Sequence, residues 1–411
     1  MSQLDRRQVL AGASAVFGCF SLSASDARTG LRLFLPATGP AGDPTPRTLV
    51  VLQLSGGNDG LSTVVPYGDD VYNRSRTATR IDGKDVLRID GYRGLHPELK
   101  KLKSVYDQGQ LAIVEGCGYP EPIRSHFRSM EVWHTAQARG RSAGEGWIGK
   151  LCDAAYGKES TAEFVVHIGA SAPYSVYSVS HPAIAFATPE GYRWVSTDRD
   201  DLKAYRASSE KSEGSHDGRA VLDRLRGVLA EAQESSIKIR RAAAGYKPKA
   251  EYPQDEFGNS LRAAAAVIDA RIGTRVLSIE LGGFDSHNNQ RNQHDDRMRR
   301  LDAGLGAFLE DLRGTSAGDH VVVVAFSEFG RRVKENGSGG TDHGVAAPMF
   351  VAGTKVHGGL HGKHPSMTDL KDGDLVHTTD FRSVYGTLID EWLGVDSSKV
   401  LDARYPRLAI V

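Results

Sequence analysis

Residues 321–344 read VVVVAFSEFGRRVKENGSGGTDHG. The run Val321–Phe326 is apolar without polar alternation, the pattern of a parallel strand buried on both faces. It stops abruptly at Ser327-Glu328-Phe329-Gly330, and a loop rich in Gly, Ser and Asn then delivers Thr341-Asp342-His343-Gly344. In open α/β sheets, ligands bind in the loops at the carboxyl ends of such strands. Glu328 at the strand end and the Asp342–His343 pair beyond the loop therefore mark one wall of a candidate site.

Other strand ends repeat the arrangement. Leu49–Leu54 (LVVLQL) runs into Ser55-Gly56-Gly57-Asn58-Asp59-Gly60, a segment that taken alone is also an ordinary turn. Gln110–Glu115 is a further strand, after which Arg124-Ser125-His126-Phe127 opens a helical run to about Gln137. Ser125 thus falls near a helix N-terminus. Serine is a favoured N-cap there, and its hydroxyl also faces the positive end of the helix dipole, a place suited to a nucleophile or an anion. Phe164–Ile168 is another strand. Arg275–Leu281 ends in Gly282-Gly283-Phe284-Asp285-Ser286-His287. In extended chain, Asp285 and His287, two apart, project to the same side. That favours joint ligation over a turn with a solvated histidine.

The remaining segments read as packing. Residues 170–260 carry a charged helical stretch from Gly218 to Ala244 and read as an insertion beside the sheet. Leu301, Leu305, Phe308, Leu309 and Leu312 form the apolar stripe of one helix, and Phe381, Val384, Tyr385, Leu388 and Trp392 that of the terminal one. His357, His361 and His364, in a glycine-rich loop, read as solvated side chains.

The 411 residues suffice for one large α/β domain over residues 48–411. The 51 basic and 51 acidic residues balance, so nothing indicates a nucleic-acid partner or an anionic membrane surface. No long apolar stretch suggests a membrane span. At the N-terminus, Arg6-Arg7 precede the mildly apolar run Val9–Leu22, and Ser25-Asp26-Ala27 offers small residues for signal cleavage. Residues 1–27 are thus expected to be a twin-arginine export signal read by the export machinery, with 28–47 as a linker and a periplasmic or secreted destination. Val16-Phe17-Gly18-Cys19 approximates a lipoprotein cleavage site, which leaves a lipid anchor at Cys19 as the alternative. Cys117 and Cys152 remain after cleavage, lie in no CxxC cluster, and are free to pair or not.

Taken together, the strand ends gather carboxylates, imidazoles and one hydroxyl, a set suited to Zn, Mn, Mg or Ca more than to a soft copper or iron–sulfur site. At this point LSGGNDGL, RSHF, LGGFDSHNNQ, FSEFGRRVKENGSGGTDHG and GGLHG, in order behind the twin-arginine leader, resemble the DUF1501 family of exported bacterial proteins. That family is in turn distantly similar to the alkaline phosphatase/sulfatase superfamily. The resemblance implies a doubly wound, mostly parallel three-layer α/β sheet with a divalent metal at the strand ends. It implies a hydrolase of phosphate or sulfate esters, small-molecule or polysaccharide, with Ser125 as nucleophile. Asp59, Asp285, His287, Glu328, Asp342 and His343 would be metal ligands, and Asn58, Arg124, His126 and Arg331 would meet substrate. Phe329 stands where that superfamily carries a histidine, so one ion is expected and a second is in question. The same departure keeps open a non-catalytic exported binding protein with a degenerate metal site. A Ser/His/Asp esterase is disfavoured because no GxSxG turn surrounds Ser125.

Overall fold

Thr48–Leu54 (β1) lies inside a nine-stranded sheet, and all its residues are buried. The computed structural model describes residues 46–137, 144–156, 161–193 and 216–411. The other sheet strands are Leu111–Gly118 (β2), Val165–Ile168 (β3), Ile184–Phe186 (β4), Val276–Leu281 (β5), Val321–Phe326 (β6), Ala347–Ala352 (β7), Gly359–His361 (β8) and Thr379–Asp380 (β9). They lie in the order β8-β2-β7-β6-β1-β5-β3-β4, with β9 also paired to β2. β7 alone runs antiparallel, against β2 and β6, and the other pairs are parallel. The sheet is therefore mixed but mostly parallel, as the unalternating apolar runs predict.

Burial on both faces explains those runs. Val50, Leu52 and Leu54 join Ile279, Val323 and Ala325 in one core, under the helices Lys100–Asp107 (α1), Glu256–Asp269 (α2) and Gln290–Leu312 (α3). Leu49 and Val51 join Val276, Val322 and Val324 in the other, with Trp133, Trp147 and Tyr385 from the helices of the opposite layer. Period-two alternation sends neighbouring residues into different cores, and the two polar residues of β1 are both buried with polar partners, Thr48 on the Thr274 carbonyl and Gln53 on His134 Nε2. β1 sits between β5 and β6, and because the three are parallel their carboxyl ends lie along one edge of the sheet.

Several expectations change here. The stretch 170–260 is not wholly an insertion, because Ile184–Phe186 is a strand of the sheet; three residues are too few to show a period. The charged helix is present over His216–Gly245. His364 is not a solvated side chain, since its Nδ1 lies 2.7 Å from Oε1 of the buried Glu115. Cys117 and Cys152 are separate buried thiols, and burial pushes both pKa values up. The signal segment 1–27, Cys19 and the linker up to residue 45 lie outside the described residues. Among the described residues, no helix is long and apolar enough to cross a membrane.

Asp59 closes the loop after β1, but as a structural anchor. It caps the single turn Gly60–Thr63, accepting from the Leu61 N–H at 3.2 Å and the Ser62 hydroxyl at 2.7 Å. Gln290 Nε2 donates to it at 2.5 Å, and both terminal nitrogens of the fully buried Arg76 bind its two oxygens. Burial pushes the Asp59 carboxyl up, but the Arg76 charge and hydrogen bonds outweigh it and hold it well below the usual carboxylate range. A depressed folded-state value gives stability that is complete above the unfolded value of about 3.9 and lost as pH falls below it. Asp59→Asn strands a buried guanidinium and is expected to cost about 3–5 kcal/mol at neutral pH, while flattening the loss of stability in acid. Urea unfolding at two pH values checks this; a variant with wild-type stability at pH 7 would contradict it.

Candidate metal centre

Two glycines let the loops after β1, β5 and β6 approach one another. Gly56 has φ +117° and Gly57 φ +73°, conformations that disfavour a side chain. A Cβ at Gly56 would strike the Phe284–Asp285 backbone, and one at Gly57 the Phe329 ring. Arg331 then ties the loops together from below. Its Nε donates to the Gly57 carbonyl at 2.7 Å and its Nη1 to the Thr341 carbonyl at 2.8 Å. Its Nη2 donates to the carbonyls of Gly56 (2.5 Å) and Phe284 (3.2 Å) and to Asp285 Oδ1 (2.8 Å). The loop 332–342 leaves and returns so that His343 forms a bridge with Arg331.

Above this clamp, four side chains converge. Asp285 Oδ1 lies 3.0 Å from His287 Nε2 and 3.2 Å from His343 Nε2, and those two nitrogens are 3.0 Å apart. His126 Nε2 faces Asp285 Oδ2 at 3.5 Å. Ligand atoms of His126, Asp285 and His343 all fall within 4.8 Å of one another. The tautomers follow from what stands behind each ring. His343 Nδ1 is 2.7 Å from the Arg124 carbonyl, which only accepts, so the ring carries its proton there. His126 Nδ1 is 2.8 Å from Glu328 Oε1, which fixes the same tautomer. Both rings then present Nε2 lone pairs to the cluster, and His126 Nε2 is buried with no hydrogen-bond partner among the described residues. A proton on His287 Nε2 can answer the His343 lone pair at 3.0 Å, but the buried His126 Nε2 has no donor facing it among the described residues and stands 3.5 Å from a carboxylate oxygen, an arrangement a positive charge would satisfy. The set fits a cation.

Each residue singled out from the sequence has a definite place. Asp285, His287 and His343 come together. His126, expected to meet substrate, stands among them in a ligand's position. Glu328 stands behind His126 rather than in the cluster: it is 1% exposed, takes the Gly56 N–H at 2.9 Å, and faces the Ser327 hydroxyl at 3.1 Å. Carboxylates in this position orient a ligating imidazole and raise its basicity. Asp342 lies at the exposed rim, 3.4 Å from His287 Nδ1. Arg331 spends its donors within the scaffold. The Arg124 guanidinium is paired with Asp374. Ser125 is the exposed N-cap of the helix His126–Thr135, and its side chain makes no capping hydrogen bond. Asn58 and Asp59 are not brought to the cluster. Asn58 Oδ1 accepts from the Thr63 hydroxyl at 3.1 Å and faces His294 Nε2 at 3.1 Å, and the Asp59 oxygens are taken by Arg76.

The electrostatics agree with this division. Burial raises the Asp285 carboxyl, but the Arg331 hydrogen bond and charge bring it down to about 2. The Glu328 hydrogen bond holds the His126 imidazole above its ordinary value, while burial pushes His343 below. Phe329 forms an apolar wall, its ring centroid 4.9 Å from that of His126 and 4.7 Å from that of His343. Ser129, whose hydroxyl donates to the Glu328 carbonyl at 2.5 Å, was invisible beforehand because the partners lie 199 residues apart.

The chain is similar to several solved structures. The one described as Ps i-CgsB in complex with k-i-k-neocarrahexaose has a TM-score of 0.41 and 11% identity, covering 88% of this chain and 75% of that one. A protein in the alkaline phosphatase superfamily from Vibrio parahaemolyticus gives 0.39 and 11%, over 90% and 74%. The lipoteichoic acid synthase LtaP from Listeria monocytogenes gives 0.40 and 9%, over 87% and 76%. At these scores the likenesses carry no argument about chemistry. A comparison with curated proteins gave no match. The family described as "Protein of unknown function (DUF1501)" matches residues 112–403, which is more than half of the 411, and the chain belongs to that family.

Proposed function

We propose that this protein is an exported, metal-dependent hydrolase of phosphate or sulfate esters, with Ser125 as nucleophile. The observation that carries the reading is the convergence of His126, His287, His343 and Asp285 at the carboxyl edge of the sheet, with Ser125, the chain neighbour of His126, at a helix N-cap. A divalent ion held there would favour the alkoxide of a nearby serine and offset charge on the ester oxygens. Ser125 Oγ attacks phosphorus or sulfur, the bond to the ester oxygen breaks, and the leaving alcohol takes up a proton. Water then attacks the seryl ester and restores Ser125. Arg124, partly exposed beside Ser125, adds positive charge at the rim. Glu328 keeps the His126 proton on Nδ1, and the Phe329 ring shields one side of the cluster from water.

That buried ring also favours a second reading. With Phe329 packed against two of the ligand rings, a non-catalytic exported protein that binds a polysaccharide or other envelope ligand at a reduced metal site keeps the same geometry.

Metal-loaded Ser125→Ala, assayed on aryl phosphates and aryl sulfates, is expected to lose about a thousandfold or more in turnover. Unchanged turnover removes the nucleophile, and a wild type inactive on every ester favours the binding protein. Glu328→Gln is expected to weaken metal binding by about 10–100-fold, read by competition against a chelator. An affinity equal to wild type would show that Glu328 does not orient His126.

A further inference from the structure

We infer that this centre takes a single ion of the zinc class, and that the Arg331 guanidinium fills the place where the same loops would otherwise hold a second, harder cation. The inference rests on the reading that His126, Asp285, His287 and His343 bind a metal, and it concerns which metal and how many.

Donor chemistry decides the class. Three of the four converging groups are imidazoles and one is a carboxylate. Imidazole-rich sets suit Zn, Co, Ni or Fe, whereas Ca takes about 6–8 oxygens and Mg a near-octahedral oxygen shell. The spacing agrees. Ligand bonds of about 2.0–2.1 Å in a tetrahedron imply edges of about 3.3 Å. Three such edges are present, 3.0 Å between His287 Nε2 and His343 Nε2 and 3.0 and 3.2 Å from Asp285 Oδ1 to those two nitrogens, while His126 Nε2 meets the other carboxylate oxygen at 3.5 Å in a set whose ligand atoms lie within 4.8 Å of one another.

The count follows from where the oxygens point. The Gly56, Gly57, Phe284 and Thr341 carbonyls and Asp285 Oδ1 form a nest of hard donors that would suit an alkaline-earth ion. All five are bound by Arg331, at 2.5, 2.7, 3.2, 2.8 and 2.8 Å. Arg331 is buried, and its guanidinium presents its donors in a fixed fork. Of the other nearby acids, Asp342 lies at the exposed rim beside His287, and the two buried ones are committed in the same way. Glu328 is hydrogen-bonded to His126, Gly56 and Ser327, and Asp59 is closed by Arg76. Asp285 Oδ1 alone is shared between the fixed cation and the imidazole cluster.

The test uses the full chain, stripped with chelator and titrated separately with Zn2+, Co2+, Ca2+ and Mg2+. Calorimetry and elemental analysis after gel filtration are expected to give one Zn2+ or Co2+ per chain, bound at least about a thousandfold tighter than Ca2+ or Mg2+. The Co2+ form should show the intense visible absorption of a four-coordinate site. His287→Ala changes a part-exposed rim residue, so folding should survive, and it should weaken Zn2+ binding at least about a hundredfold. Two ions per chain, or Ca2+ bound as tightly as Zn2+, overturns the inference while leaving a metal-dependent hydrolase intact. A Ca2+-loaded protein that turns over esters does the same. Failure to bind any of the four ions overturns both readings.

Discussion

The buried fork of Arg331 is the interaction on which the centre depends. Three loops leave adjacent strands, and each ends with backbone carbonyls pointing inward where no strand remains to pair them. Unpaired buried carbonyls cost free energy, and a guanidinium is the side chain with enough fixed donors to satisfy several at once. Hydrogen bonds to a charged donor contribute roughly 1.5–3 kcal/mol each, so the clamp holds the loops in one register. The consequence reaches the chemistry directly. Asp285 is the acceptor at one tip of the fork, and the same hydrogen bond that positions it keeps it ionised and aimed at His287 and His343.

A second layer sets the imidazoles. Glu328 and the Arg124 carbonyl each take a proton from Nδ1 of one ring, so lone pairs rather than N–H groups face the centre. Glu328 is itself held by the Gly56 N–H, so one glycine answers to both Arg331 and Glu328. The positive φ at Gly56 and the absence of a Cβ are what allow that contact.

Much of this could be read from residues 321–344 and 275–287. Unalternating apolar runs announce strands buried on two faces, and the polar residues that end them fall on one edge by the geometry of parallel sheets. Asp285 and His287 share a side because two-residue spacing in extended chain requires it. What escaped is pairing across distance. Nothing local says that Asp59 belongs to Arg76, that Glu328 supports His126 across 202 residues, or that Arg331 faces inward. Acids at strand ends look alike as ligands until each is matched with its nearest cation. In the folded chain Asp59 is closed by Arg76, Glu328 stands behind His126, and His126 stands beside Asp285. The family membership is consistent with the motif order but says nothing of these roles.

The strand-end loops are proposed to build an imidazole-rich cation site. X-ray absorption at the metal edge of the protein as purified addresses it most directly. The arrangement predicts outer-shell scattering from three imidazole rings around one ion, with a carboxylate oxygen in the inner shell. A shell of oxygen alone, without imidazole scattering, would contradict it.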